Sequence, residues 1–363
     1  MRLKYLPLIL LLLFITCLWD ISCSRSQLIQ APPPRTDSTG NPPVNTPTDT
    51  SSTLVYVGGD TIINDIPYAG YWKNGLITQI SNQQYSDISS IIVNNGDVYV
   101  TAQGSGSISS INYWKNGLGI SLPDTLGGSP GVSSLIISEG DIYLTGTDHE
   151  YPNGNYGVVY WKNSGYGIHL VPLGVTIHHS SGRSIAVSNQ DVYVAGDLDY
   201  SAEYWKNGNA VRLHVDSMFN SNYSLANSIC ISNGNVYMAG TENIGSQFTP
   251  TYLSRGVYWE NDKLVRLTTD TGSIASAITV VGNDIYVAGA VYGADFQPRA
   301  AYWKNGTLTT LDSNYSFANA IAVHGTDVYV AGTIQTRYAV YWKNDKPVAL
   351  GPGDANSIYV TDK

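Results

Sequence analysis

A repeat of about 45 residues runs through most of this chain and limits the folds that it can adopt. Each unit contains a Tyr-Trp pair, usually followed by Lys-Asn, and a second string whose commonest form is Asp-Val-Tyr-Val-Ala-Gly. The Tyr-Trp pairs start at Tyr71, Tyr113, Tyr160, Tyr204, Tyr258, Tyr302 and Tyr341. The second string carries Tyr56, Tyr99, Tyr143, Tyr193, Tyr237, Tyr286 and Tyr329. Two motifs that recur in step indicate one architecture built from similar units.

Each unit has the pattern of four short strands separated by turn signals such as Asn-Gly. The sequence therefore predicts an all-β fold, a seven-bladed β-propeller with four-stranded blades that spans residues 53–363. The first unit, residues 54–81, lacks its opening strand, whereas residues 355–360 form a strand pattern without a unit of its own. We expect strand 355–360 to complete the blade begun at 54–81 and to close the ring.

The repeated aromatic and charged residues have a structural interpretation. Tryptophans that recur at one strand position are expected to pack in the seams between blades, because burial of large rings stabilises such a fold. The repeated lysines are expected to pair across strands with the acids that open the neighbouring strand. One unit has Glu260 in place of lysine and Asn235 in place of the acid, which avoids two like charges facing each other.

Composition excludes some functions. The chain has a net charge of −9, whereas binding to a nucleic-acid backbone needs clustered lysine and arginine, so no nucleic-acid partner is expected. The three cysteines are Cys17, Cys23 and Cys230. Two of them lie in the leader described next, so a disulfide framework in the propeller is excluded, and Cys230 is interpreted as a small buried hydrophobic residue.

The beginning of the chain has the pattern of an export signal. Residues 1–22 have a basic start and an apolar run, as in a signal peptide, and residues 23–52 have the Pro, Ser and Thr-rich composition of a disordered tether. This order resembles the leader of bacterial lipoproteins, which implies acylation of Cys23 and an outer-membrane or cell-surface location, or a periplasmic one. Asp20 stands where that family prefers an aliphatic residue, so Cys17 and secretion without a lipid remain alternatives.

The repeat itself also resembles a known group. Its Tyr-Trp-Lys-Asn-Gly and Asp-Val-Tyr-Val-Ala-Gly strings are similar to those of uncharacterised exported lipoproteins of Gram-negative bacteria. The resemblance covers about residues 53–363 and implies an exported propeller. It supplies no activity.

Candidate binding residues are polar and aromatic residues outside the repeat, which the strand order places on the face of the long loops. Arginine beside aromatic rings is typical of recognition surfaces, although a solvated rim has the same composition. The candidate ligand-binding residues are Arg183, Arg255, Arg299, Arg337, Tyr252, Tyr292, Phe296, Tyr338, His149, His178, His179, Asp197 and Asp199. Histidines and carboxylates could also bind a metal, but no known ligand spacing is present, so neither a metal nor a cofactor is expected.

The sequence favours a binding or recognition module for a glycan, a peptide or an envelope protein. Motifs of nucleophilic, phosphate-binding and zinc-dependent enzymes are absent from the sequence, so no catalytic residue is assigned. Two alternatives stay open. One is a hydrolase or lyase centred on His178, His179 and Asp197, and the other is a structural scaffold.

Overall fold

The computed structural model describes residues 52–84, 86–104, 113–122, 129–151, 155–176, 178–215, 223–243, 254–269, 272–335 and 337–363. The predicted signal peptide, the tether up to residue 51, Cys17 and Cys23 lie outside these residues. Within them, no helix is long and apolar enough to cross a membrane.

The described residues form antiparallel β-sheets. The first three strands are β1 (Thr53–Ile63), β2 (Ile66–Lys73) and β3 (Leu76–Gln84). The next sheet contains β4 (Ser86–Asn94), β5 (Asp97–Gly104), β6 (Tyr113–Lys115) and β7 (Leu118–Ile120). A third contains β8 (Ser129–Ser138), β9 (Asp141–Tyr151), β10 (Asn155–Ser164) and β11 (Gly167–Thr176).

The second half of the chain continues the same pattern. One sheet contains β12 (Ser180–Ser188), β13 (Asp191–Leu198), β14 (Ser201–Lys206) and β15 (Asn209–Arg212). The next contains β16 (Ser224–Ser232), β17 (Asn235–Asn243), β18 (Ser254–Glu260) and β19 (Lys263–Arg266). Another contains β20 (Ser273–Val281), β21 (Asp284–Tyr292), β22 (Pro298–Lys304) and β23 (Thr307–Thr310). The last strands are β24 (Ser316–His324), β25 (Asp327–Ile334), β26 (Tyr338–Lys343) and β27 (Lys346–Asp362).

The fold is a β-propeller, but the predicted arrangement of seven four-stranded blades is wrong. Five sheets are separate four-stranded blades. The remaining strands form one continuous seven-stranded sheet in the order β24-β25-β26-β27-β1-β2-β3. The sequence pattern suggested a break between two four-stranded units here, and the structure has none.

The reason for this continuity is β27, a single strand of 17 residues. Its first half pairs with β26 up to Pro352, and its second half pairs with β1 from Gly353 onward. Gly351 and Gly353 have φ angles of 131° and 138°, which glycine adopts without steric cost, so the strand bends there without ending. The predicted pairing of the C-terminal segment with the first strand is confirmed, with Tyr359 opposite Tyr56.

The strands that open each unit, together with β27, contact one another in a closed ring. Its members are β4, β8, β12, β16, β20, β24 and β27. The pairing register of each member shifts at a β-bulge, which leaves one residue without a partner on the neighbouring strand. The seven bulge residues are Ser89, Ser133, Arg183, Asn227, Ser276, Asn319 and Asn356.

The structural interpretation of the repeated residues is confirmed. All seven tryptophans of the Tyr-Trp pairs are buried, and Trp259, for example, packs in one apolar cluster with Tyr204 of the preceding sheet. Five of the lysines form ion pairs of 2.8–2.9 Å with the predicted acids. In the unit that has Glu260 in place of lysine, Glu260 accepts a hydrogen bond from the hydroxyl of Tyr237. The position of the acid is occupied there by the neutral Asn235. These residues are therefore accounted for by folding.

Candidate functional site

One group of predicted residues comes together beside the ring of innermost strands. His179 immediately precedes β12, Arg183 is the bulge residue of β12, and Asp197 lies on the neighbouring β13. Asp197 is fully buried, and its two carboxylate oxygens have different partners. Oδ1 accepts a hydrogen bond from Nε of Arg183 at 2.9 Å, and Oδ2 lies 2.8 Å from Nδ1 of His179. The buried carboxylate thus fixes the orientation of two basic side chains.

The repeat explains how the backbone brings these residues together. Gly196, the last residue of the repeated Val-Ala-Gly string, lies so close to β12 that a Cβ there would be 2.0 Å from the carbonyl oxygen of Ser181. Glycine is therefore required for the bulged strand to approach β13. Asp197 follows directly and opposes Ser181 in the register, while the bulge at Arg183 turns that side chain out of the ladder.

Other bulge residues bridge adjacent members of the ring. The amide nitrogen of Asn227 donates to the carbonyl of Ala275, and that of Asn319 donates to the carbonyl of Ala355, at 2.8 and 3.0 Å. Arg183 occupies the equivalent position but bonds within its own sheet, to Asp197. The bridging interaction is therefore replaced by an intrasheet ion pair at this point of the ring.

A pocket opens at this point. Its volume is about 460 Å³, within the range typical of small-molecule sites. The bulge residues of three neighbouring strands of the ring line it, namely Ser133, Arg183 and Asn227. Tyr156, His179 and Ser181 line it as well. The side chains on its wall are hydroxyl, amide, imidazole and guanidinium groups, and none of the lining residues is acidic. Such a wall is polar and contains both hydrogen-bond donors and acceptors.

An aromatic stack supports the wall. The ring of His179 stacks on Tyr200 with centroids 5.4 Å apart, and Tyr200 contacts Tyr223 at 5.5 Å. Tyr200 and Asp199 form the two-residue turn between β13 and β14, with φ angles of 61° and 52°. Connections on this face were expected to be long, and this one is short because both residues adopt the left-handed conformation of a tight hairpin. Burial raises the pKa of Tyr223.

His178 lies outside the hydrogen-bonded group. Its Nδ1 is 2.8 Å from Asp199, and more than half of each side chain is exposed. The pair holds the chain that leads into β12 close to the turn between β13 and β14. His178 and Asp199 therefore flank the pocket without lining it.

A second group of charges surrounds Arg337. Its Nη2 donates to Asp60 at 3.0 Å and its Nε to Asp354 at 2.9 Å, which joins β1 to β27. Asp87, on β4, accepts a hydrogen bond from the amide of Asn356, and its charge acts on Asp60. Asp60 is buried, and no described group bonds its Oδ1. Burial raises the pKa of Asp60 to about 6 against the opposing effect of the Arg337 charge, and burial also raises the pKa of Asp87.

The remaining predicted residues are not brought to the pocket. Arg255 lies 3.6 Å from Glu242, and Arg299 is bonded to both oxygens of Asp295 and to the carbonyl of Ser313. The aromatic candidates with described side chains are Tyr292, Phe296 and Tyr338, of which Phe296 is the most exposed, at 61%. Tyr252 and the side chain of His149 lie outside the described residues. In the described part of the chain, no group of three or more histidine, cysteine or acidic side chains is placed to hold a metal ion.

Sequence reasoning missed Ser133, Tyr156, Ser181 and Asn227 as lining residues, and it missed Asp60. A column-by-column comparison of the repeats contains part of the signal. The position after the repeated glycine holds Asp60 and Asp197 in two units and a neutral residue in the others, namely Gln103, Thr147, Thr241, Ala290 and Thr333. Each of the two groups of charges described above, around Asp197 and around Asp60, therefore contains an acid at a repeat position that is neutral in the other units.

No protein-family model and no curated protein matches the chain. Among solved structures, it is similar to a structure of YjhT, with 11% identity and a TM-score of 0.42, over 75% of this chain and 96% of that one. It is also similar to the crystal structure of a thermostable family-43 glycoside hydrolase, with 12% identity and a TM-score of 0.39, over 64% of this chain and 95% of that one. The function of this chain is therefore inferred from its own residues.

Proposed function

We propose that this protein is an exported recognition module that binds a glycan in the pocket beside Arg183. The observation that carries the proposal is the fully buried Asp197, which orients Arg183 and His179 toward a wall of hydroxyl and amide groups. Sugars present hydroxyl groups at fixed angles, and oriented donors recognise such groups with little loss of side-chain entropy. A concave pocket of about 460 Å³ suits one or two sugar rings better than the flat surface of a protein partner.

Filling the pocket tests this proposal. Ser181 lines the pocket, and the equivalent position of another unit holds Phe317, so the local backbone accepts a phenyl ring there. The variant Ser181→Phe is expected to fold and to lose glycan binding on an array of envelope polysaccharides. Leu225→Phe places the same phenyl ring at the equivalent position of β16, outside the pocket lining, and is expected to keep glycan binding. Equal binding by wild type and Ser181→Phe would remove the pocket as the site.

Export and anchoring belong to the same proposal. The basic start, the apolar run and Cys23 support transfer across a membrane and acylation, with the protein retained at the outer membrane or cell surface. Cys23→Ala is expected to abolish incorporation of a labelled fatty acid, and Cys17→Ala to leave it unchanged. Labelling lost only in Cys17→Ala would move the anchor, and absence of label in the wild type would favour secretion without a lipid.

A hydrolase or lyase is the second candidate, and one observation favours it. Because a carboxylate only accepts hydrogen bonds, the contact with Asp197 places the hydrogen of His179 on Nδ1 and leaves Nε2 able to take a proton. A positioned imidazole of this kind acts as a general base in many enzymes. Incubation with the glycans that bind, followed by mass spectrometry, tests this. Shortened or dehydrated products that vanish in His179→Gln would support catalysis, and unchanged ligand after prolonged incubation would leave binding alone.

A further inference from the structure

The charges around the pocket are unusual for this chain. The whole protein has a net charge of −9, yet the charged or chargeable groups that line the pocket are the guanidinium of Arg183 and the imidazole of His179. The carboxylate that balances them, Asp197, is fully buried behind the wall. A pocket with a guanidinium at its surface attracts anions, even on a protein whose overall charge repels them.

The hydrogen bonding of Arg183 leaves the two terminal nitrogens of its guanidinium group available to a ligand. Among the arginines in the described residues, Arg183 is the one whose hydrogen bonds and ion pairs involve Nε alone. The others use a terminal nitrogen: Arg212 toward Ser201, Arg255 and Arg266 toward Glu242, Arg299 toward Asp295, and Arg337 toward Asp60. Asp197 thus holds the guanidinium at its inner edge, and the two terminal nitrogens carry hydrogens that no described group accepts.

We propose that the pocket recognises a saccharide that carries a carboxylate, such as a uronic acid, and that Arg183 binds this carboxylate. The inference rests on the proposed glycan-binding function and specifies its ligand class. Arginine donates two parallel hydrogen bonds to a carboxylate, and such charge-assisted bonds are about twice as strong as neutral ones. His179 and the hydroxyl of Ser181 lie on the same wall, where they can contact the ring hydroxyls.

Paired ligands and paired variants test this inference. The full chain is titrated with D-glucuronate, D-galacturonate, D-glucose, D-galactose and D-glucose 6-sulfate, and binding is followed by ligand-observed NMR. The wild type is expected to bind the uronates at least tenfold more tightly than the neutral sugars, the discrimination expected from a hydrogen bond to a charged group of about 1.5 kcal/mol or more. Arg183→Gln is expected to abolish this preference.

Lys206→Gln is the matched control, because it removes one positive charge from the same sheet while Lys206 belongs to an exposed ion pair with Asp191. It is expected to bind the uronates as the wild type does. Equal affinity for neutral and acidic sugars would overturn the carboxylate inference and leave glycan binding intact. Equal or tighter binding of the sulfate ester, or a uronate preference that survives in Arg183→Gln, would also overturn it. Absence of binding to every sugar tested and to the polysaccharide array would overturn both proposals.

Discussion

Asp60 and Asp197 occupy the same position of the repeat, yet they lie in different electrostatic environments. Both follow the repeated glycine, both are buried, and both contact an arginine. The residue opposite Asp197 on the innermost strand is Ser181, whereas the residue opposite Asp60 is Asp354. One repeat position therefore supports two different arrangements of charge.

The balance of charges separates the two regions. Asp197 is one acid with two basic partners, each of its oxygens is bonded, and the basic groups extend to a pocket. Asp60 shares Arg337 with Asp354, has Asp87 nearby, and has one oxygen that no described group bonds. We infer that the first region serves recognition and that the second joins the two ends of the propeller, at a cost in buried negative charge.

The largest expected effect on stability comes from removing the cation of the Asp60 group. Arg337→Gln leaves three neighbouring carboxylates without their arginine, which is expected to lower the free energy of unfolding by about 3 kcal/mol, the low end for a broken buried pair because Arg337 is partly exposed. Thermal and denaturant unfolding measure this. Arg299→Gln, which removes a surface pair with Asp295, is the control and is expected to cause a much smaller loss, because exposed pairs contribute little. Similar losses in the two variants would contradict a special role for the Arg337 group.

The next effect is a dependence of stability on pH. The pKa of Asp60 rises from 3.8 to about 6 on folding, so between these values the folded protein binds more protons than the unfolded chain. Stability is therefore expected to rise as pH falls from 8 to 5, by about 1.4 kcal/mol from Asp60 alone, and to be lost again as pH rises through 6. Urea unfolding at several pH values measures this slope.

Asp60→Asn separates this group from the other titrating residues. The groups that face Asp60 are Arg337, Asp354 and Asp87, and only Asp60 is changed in the variant. The variant is expected to show a flatter profile between pH 5 and 8. A slope identical to that of the wild type would show that Asp60 does not carry the effect.

The smallest expected effect on stability comes from an unfavourable pair of exposed charges. In the variant Asn235→Asp, a second acid is placed beside Glu260, and the unfavourable pair is expected to cost about 0.5 kcal/mol or less, with a small drop in Tm. Adding Glu260→Lys restores the lysine and acid pair found in five other units and is expected to recover the loss. No drop in the single variant, or no recovery in the double, would contradict the pairing.

Much of the fold could be predicted because the same strand and turn motifs recur in each unit of the sequence. Trp259 and Lys206 belong to columns that recur along the chain, and recurrence distinguishes residues that build each sheet from residues that act once. The pairing of Tyr359 with Tyr56 was predictable because one strand was missing at one end and one was left over at the other. The continuity of β27 was not, because Gly351 and Gly353 resemble a turn signal, whereas both stay paired within the sheet.

The site could be predicted only in part. Arg183, His179 and Asp197 were found as unrepeated polar residues on one face, but the same criterion selected Arg299, which is bonded to its own loop. What distinguishes these arginines is which nitrogens are already bonded, and this depends on the bulge at Arg183 and the burial of Asp197. Neither property is encoded in the residue type. Ser181 was missed because serine is common in the repeat.

The division of roles between the two buried acids is tested by comparing Asp197→Asn with Asp60→Asn in one experiment, with uronate binding and unfolding measured for both proteins. Asp197→Asn is expected to lose uronate binding and to unfold within about 2 kcal/mol of the wild type, because Arg183 and His179 are partly exposed and water can solvate them. Asp60→Asn is expected to bind like the wild type and to change only the pH profile of stability. Wild-type affinity in Asp197→Asn, or loss of binding in a folded Asp60→Asn, would contradict the division between the two regions.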